Sequence, residues 1–130
     1  MILFPFMLII TPLLNITDSN THPIDVQLND CLAQSHATMP RARCYNKAYT
    51  AWEQAISTAE NKLLKNADGL KRKKLIDEQS TWEKQRDLAF EKIADRYIKM
   101  KGTGYIAVRI QLRMEILRNR ALALERQLRL

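Results

Sequence analysis

Two cysteines, two histidines and one arginine on an apolar helix face are the residues whose chemistry narrows the reading of this chain. Cys31 and Cys44 stand 13 residues apart. In an exported chain an isolated pair of this kind forms a disulfide, whereas in a cytosolic chain it would be two buried thiols. Neither His22 nor His36 completes a zinc-ligand spacing with them, so no metal is expected. Nucleophilic catalysis needs a base beside a nucleophile. His22 lies near the start of the chain and His36 lies between the cysteines, and neither has a helix-spaced acidic or hydroxyl partner. The carboxylates Asp77, Glu78, Glu83, Asp87, Glu91 and Asp95 interleave with Lys and Arg at steps of three and four. That is the pattern of surface ion pairs, each contributing a few tenths of a kcal/mol, roughly. Glu60 and Asp87 would make an acid pair, but no sequence feature brings them together. No glycine-rich phosphate loop occurs. The chain reads as a non-enzyme with no cofactor and no catalytic residues.

Arg86 falls among Trp82, Phe90 and Ile93 on a helical wheel, and a charge there must be paired or must snorkel. The expectation is a mostly buried guanidinium bound to a carboxylate, with Glu53 and Glu60 first in line and Trp82 packed nearby. Arg109, Arg113 and Arg120 likewise lie between two apolar strips of the last helix, Tyr105–Leu112–Ile116 and Ile106–Ile110–Leu117–Leu124. Three uses of these arginines are open: pairing inside the bundle, a cleft for an acidic ligand, or a homodimer contact through the second strip.

The elements that would position these residues are helices. With three Gly and four Pro in 130 residues, an all-β chain rich in tight turns is excluded. Asp25 is placed to cap a short helix over Val26–Gln34. Pro40 suits the first turn of a second helix running to Asn66. Its apolar or small positions are Cys44, Ala48, Ala51, Trp52, Ala55, Ile56, Ala59 and Leu63, which step by one and by three or four along one face. Gly69 fits a left-handed cap. A third helix spans Leu70–Lys101, with Leu75, Gln79, Trp82, Arg86, Ala89, Phe90, Ile93, Tyr97 and Met100 on one face. Gly102-Thr103-Gly104 breaks the chain before a fourth helix to Gln127. Short connections make consecutive helices antiparallel neighbours. The fold class expected is all-α: a short N-terminal helix plus three long antiparallel helices, stapled near the N-terminus.

The apolar run Ile2–Leu14 is too short to span a bilayer and suits a secretory signal. Residues 1–19 read as that signal, 20–24 as a linker and 25–130 as one helical domain, with no stable membrane span left after cleavage. Residues 41–130 carry all 21 basic residues and 11 acidic ones, a net +10. Such charge favours acidic partners or anionic surfaces. The run Lys71-Arg72-Lys73-Lys74 points in four directions around a helix and has no interleaved aromatic residues for base stacking, so no nucleic-acid partner is expected.

Cys31-x12-Cys44, Trp52-Glu53, Glu78-Gln79-x-x-Trp82-x-x-x-Arg86-Asp87, Gly102-Thr103-Gly104-Tyr105 and Arg120-x-x-x-Leu124 resemble, in order and approximate spacing, the lysozyme-inhibitor LprI-like N-terminal domain family of small exported bacterial proteins. The resemblance implies a helical periplasmic or secreted protein that acts by binding. It makes Trp52, Gln79, Trp82, Arg86, Asp87, Gly102, Gly104 and Arg120 motif positions with a structural part. Many members carry two further cysteines, which correspond by position to Phe90 and Leu112, so apolar side chains replace one disulfide here. The partner implied is a lysozyme-type muramidase or another cell-wall-directed protein. Animal lysozymes are usually strongly basic, so contact with one falls to acidic positions, Asp25, Asp30 and Glu53 being the candidates. The alternative, from a different class, is an envelope structural or anion-binding bundle working through its basic surface.

Overall fold

Pro23, with its backbone preset for a helix, opens the first helix two residues before the position where Asp25 was expected to cap it. In the structure, a computed structural model that describes residues 22–130, α1 spans Pro23–Leu32. Its cap is His22, whose Nδ1 accepts the Ile24 amide at 3.2 Å. The last two residues read as linker, Pro23 and Ile24, therefore begin α1, and Asp25 points inward from its first turn and is buried. α2 spans Thr38–Lys65, with Pro40 in its first turn. Gly69 adopts φ +51° and opens α3, Gly69–Tyr97, after a short link in which Ala67 is buried. The left-handed residue is thus where it was expected, but it starts the following helix. α3 stops at Tyr97, short of Lys101, because its end tightens into a turn in which the Met100 amide reaches the Tyr97 carbonyl. Gly102 then takes φ +108°, a conformation that favours glycine, and α4 runs over Gly104–Arg129.

The core is the seam between α2 and α4. Tyr45, Ala48, Trp52, Ile56 and Ala59 meet Met114, Leu117, Ala121 and Leu124. Tyr45 lies level with Met114, and Glu60 and Leu63 lie level with Arg120 and Leu124, so these two helices run parallel. Alanines at 48, 59 and 121 let the backbones approach, and Trp52 fills the centre with no exposed surface. Full burial of a side chain this large makes its truncation cost about 3–5 kcal/mol.

α1 and α3 run antiparallel to this pair on different sides of α2. α1 lies against Cys44, Ala48 and Ala51. The Cys31–Cys44 disulfide closes one end of it, with Cα atoms 5.7 Å apart. Near the other end the His22 ring sits 4.5 Å from the Trp52 ring, and the carboxylate of Asp25 receives the guanidinium of Arg118. That contact is a fork, with Nε 2.9 Å from Oδ1 and the terminal nitrogen 2.8 Å from Oδ2.

α3 is held differently. None of its residues is fully buried, though the face predicted for it, Leu75 to Tyr97, is the half-buried one. Met100 lies beyond the helix and is exposed. Trp82 and Phe90 carry α3 onto the core. Its contacts to α4 form an antiparallel ladder: Tyr97 on Tyr105 at 5.7 Å, Phe90 under Arg113 at 5.5 Å, and Trp82 under Arg120 at 5.3 Å. The rungs fall seven or eight residues apart on both helices, two helical turns each.

The Asp25 side chain is 9% exposed and that of Arg118 22%. Removing one member of such a pair strands the other charge away from water. Asp25→Ala is expected to cost about 3 kcal/mol. Asp25→Ala with Arg118→Met is expected to cost clearly less than Asp25→Ala alone. Urea unfolding of the two variants checks this, and equal stabilities would contradict it.

Candidate functional site

The Gln79–Asp87 segment meets α4 around the indole of Trp82. Residues 79, 82 and 86 step by three and four, so α3 presents all three on its half-buried face. Arg86 and Arg120 both place their guanidinium carbons 5.3 Å from the Trp82 ring centroid. The two cations share one quadrupole, a geometry suited to arginine because its flat, weakly hydrated head stacks on aromatic faces. Arg120 also donates to Oε1 of Gln79 at 2.7 Å. Its Nε is buried with no hydrogen-bond partner. Burial lowers the Arg120 pKa, against the raising effect of Glu60 and Glu78.

Arg86 corrects the expectation set for it. Its side chain is 30% exposed, and its Nε and a terminal nitrogen bind Oδ1 of the adjacent Asp87 at 3.0 and 2.9 Å. Asp87 is itself 68% exposed. The partner is neither Glu53 nor Glu60. A half-open position lets the long stem pack on Trp82 while the head reaches the surface, so deep burial against a carboxylate is not required.

Glu60 faces this cluster from α2. Its Oε1 is buried without a hydrogen-bond partner. Burial raises its pKa, with Arg120 acting against that shift and Glu83 adding to it; Gln79 and Arg86 favour the charged form more weakly. Beside Glu60, the thin contact between α2 and α3 leaves a cleft of about 300 Å³. Leu63, Leu64, Leu75, Ile76 and Leu124 form its apolar lining, and Glu60, Glu78, Glu83 and Arg120 its charged one. Gln79 and Arg120 are the motif residues that reach it.

The other motif positions lie elsewhere. Trp52 is enclosed in the α2–α4 core, and Cys31 and Cys44 are bonded to each other. Gly102 is required by its positive φ, whereas a Cβ at Gly104 meets nothing within 4 Å. Among the described residues no group of His, Cys, Asp or Glu is arranged to hold a metal. His22 is structural: because Nδ1 accepts a backbone amide, Nε2 carries the proton that points to Glu125, 3.3 Å away. Arg113 packs on Phe90, and Arg118, not singled out from sequence, makes the fork to Asp25. A wheel does carry the signal for Arg118, since Met114 and Ala121 of the core lie four residues before it and three after. Asp25 is consumed by that fork and is not open to a partner.

The fold and the cleft define a small disulfide-stapled helical bundle whose distinctive feature is a recess between two helices. No helix among the described residues is long and apolar enough to cross a membrane. Residues 25–124 match the family model described as Lysozyme inhibitor LprI, and the chain belongs to that family. Comparisons with curated proteins and with solved structures gave no match.

Two variants test the cluster's energetics. Arg120→Ala leaves Gln79 and the Trp82 ring uncovered and is expected to cost about 1–3 kcal/mol. Arg86→Ala breaks a largely open pair and is expected to cost less, about 1 kcal/mol or under, with Arg86→Met better tolerated still. Chemical unfolding ranks the three, and a greater loss for Arg86→Met than for Arg120→Ala would contradict the assignment.

Glu60 gives a pH signature. Its folded-state pKa lies above the unfolded one, so the protein holds that proton more tightly when folded and loses stability as pH rises through the carboxylate range. Glu60→Gln, which never charges, is expected to melt higher than wild type at pH ~7 and to lose that advantage at pH ~3.5, where Glu60 is protonated in both states. Melting curves at both pH values decide it; a wild type that melts higher at pH ~7 would refute it.

Proposed function

We propose that the protein is exported, loses residues 1–19, and acts in the periplasm or outside the cell by binding a lysozyme-type muramidase and blocking it, without catalysing a reaction itself. The observation that carries this reading is the family match over residues 25–124, because it takes in the stapled α1, the Trp52 core, the Trp82 cluster and the cleft together. The leader is read from the sequence of residues 1–19, which lie outside the described residues. The disulfide supports export, because such bonds persist in oxidising compartments. The charge problem of a basic chain meeting a basic enzyme is local: like charges slow encounter, but affinity is decided by the contacting patch.

A second reading has its own observation. Lys71, Arg72, Lys73 and Lys74 are exposed at one end of α3, and Arg96, Lys99 and Lys101 are exposed at the other. They would serve an envelope structural or anion-binding bundle. Salt separates the readings, since binding to an anionic polymer falls steeply with added salt.

Mass spectrometry of the exported protein is expected to show the leader gone and two hydrogens missing from the cysteines. Intact Met1 with two alkylatable thiols would overturn the export reading. For activity, the mature protein at equimolar or higher concentration is expected to slow lysis of a cell-wall suspension by an animal lysozyme in proportion to the amount added. Unchanged lysis at tenfold excess would overturn the inhibitor reading.

A further inference from the structure

We propose that the cleft between α2 and α3 receives a lysine side chain of the partner protein. The inference rests on the inhibitor reading for the partner's identity, and on the cleft alone for its chemistry.

The cleft has the two parts a lysine needs. Its walls are aliphatic: Leu63, Leu64 and Leu124 on one side, Leu75 and Ile76 on the other. Such a lining takes the methylene stem, which buries readily while its head seeks a polar site. Two carboxylates, Glu60 from α2 and Glu83 from α3, line the same space. They are close enough that the charge of Glu83 raises the pKa of Glu60. Among the described residues no Lys or Arg forms an ion pair with either of them. Oε1 of Glu60 is left without a donor. An ammonium group placed between the two carboxylates would offset their repulsion.

The resident cation does this only in part: the charge of Arg120 favours ionised Glu60, but no ion pair joins them. Arg120 lines the cleft, but its head is committed to Gln79 at 2.7 Å and to the Trp82 ring. Glu78, a third carboxylate of the lining, is offset by Lys74 at 4.0 Å. The lining is therefore net acidic on a chain of formal charge +7. This local reversal of sign gives a basic partner a place to dock that the rest of the surface denies it. A compact, rotatable ammonium suits the narrow recess better than a planar guanidinium, which asks for a fork of acceptors in one plane.

The test uses the mature protein and two blocked tripeptides, Gly-Lys-Gly and Gly-norleucine-Gly, titrated to about 20 mM while NMR follows the methyls of Leu63, Ile76 and Leu124 and the Trp82 indole. The lysine peptide is expected to shift these signals and saturate. The norleucine peptide, Glu60→Gln/Glu83→Gln, and Ser80→Trp, which puts a bulky uncharged side chain at an exposed residue of the lining, are each expected to weaken binding at least tenfold, with unchanged circular dichroism. Equal binding of the two peptides, or no shift at these methyls, would overturn the inference. Lysozyme inhibition is measured with the same proteins. If wild type inhibits and Ser80→Trp does not, the cleft is the docking site. If both inhibit alike, the cleft inference fails and the inhibitor reading survives. If wild type does not inhibit, that reading fails, and the peptide titration alone decides the cleft.

Discussion

The indole of Trp52 is wholly enclosed, and three helices take their places around it. α2 supplies it, α4 closes over it with Leu117 and Ala121, and α1 lays the His22 ring against it. Arg118 extends over the same ring at 5.9 Å on its way to Asp25. A helix of ten residues does not persist on its own in water. α1 exists because it is fixed at one end by a covalent bond and near the other by a forked ion pair set against an aromatic surface. The ion pair in turn is tolerable at low exposure because both partners find acceptors and donors in the right plane.

α3 answers to another constraint. Arginines on the inner side of a helix would ordinarily demand carboxylates. Here α4 offers Arg113 and Arg120, and α3 answers mostly with rings. Aromatic faces neutralise part of the desolvation cost without adding charges that would need partners of their own. The result is a helix attached along a ladder of widely spaced rungs, with little apolar burial between it and α2. The cleft is the direct product of that spacing.

The helices and their inner faces were legible because both follow from steps of three and four. The face of α3 from Leu75 to Tyr97 and the left-handed Gly69 needed only local rules. The disulfide needed only the count of cysteines and a compartment. What escaped the sequence depended on distance along the chain. Asp25 looked like a cap because Asp commonly is one, and nothing near it announces a guanidinium 93 residues away. Arg86 looked buried because a wheel gives direction and not depth, and α3 sits too far from the core for that direction to mean enclosure. Glu60 was in view as a partner for Arg86, yet only the placement of α3 beside α2 makes it a cleft residue.

The parallel run of α2 and α4 carries a consequence for how the chain reaches its native state. Partners in the central seam are separated by the whole of α3, so the core closes only after the polypeptide has travelled to the far end of the molecule and returned. The entropic penalty of such a closure rises slowly with length, so the intervening segment is a tolerable detour. α1 and α2, being adjacent and covalently joined, can associate early, whereas the seam must wait for the last helix to be complete. On a ribosome, which releases the C-terminus last, that ordering leaves the apolar face of α2 uncovered throughout synthesis. Until α4 is made, that face is open to association with other apolar surfaces, so the seam is the part of the fold most exposed to misassembly.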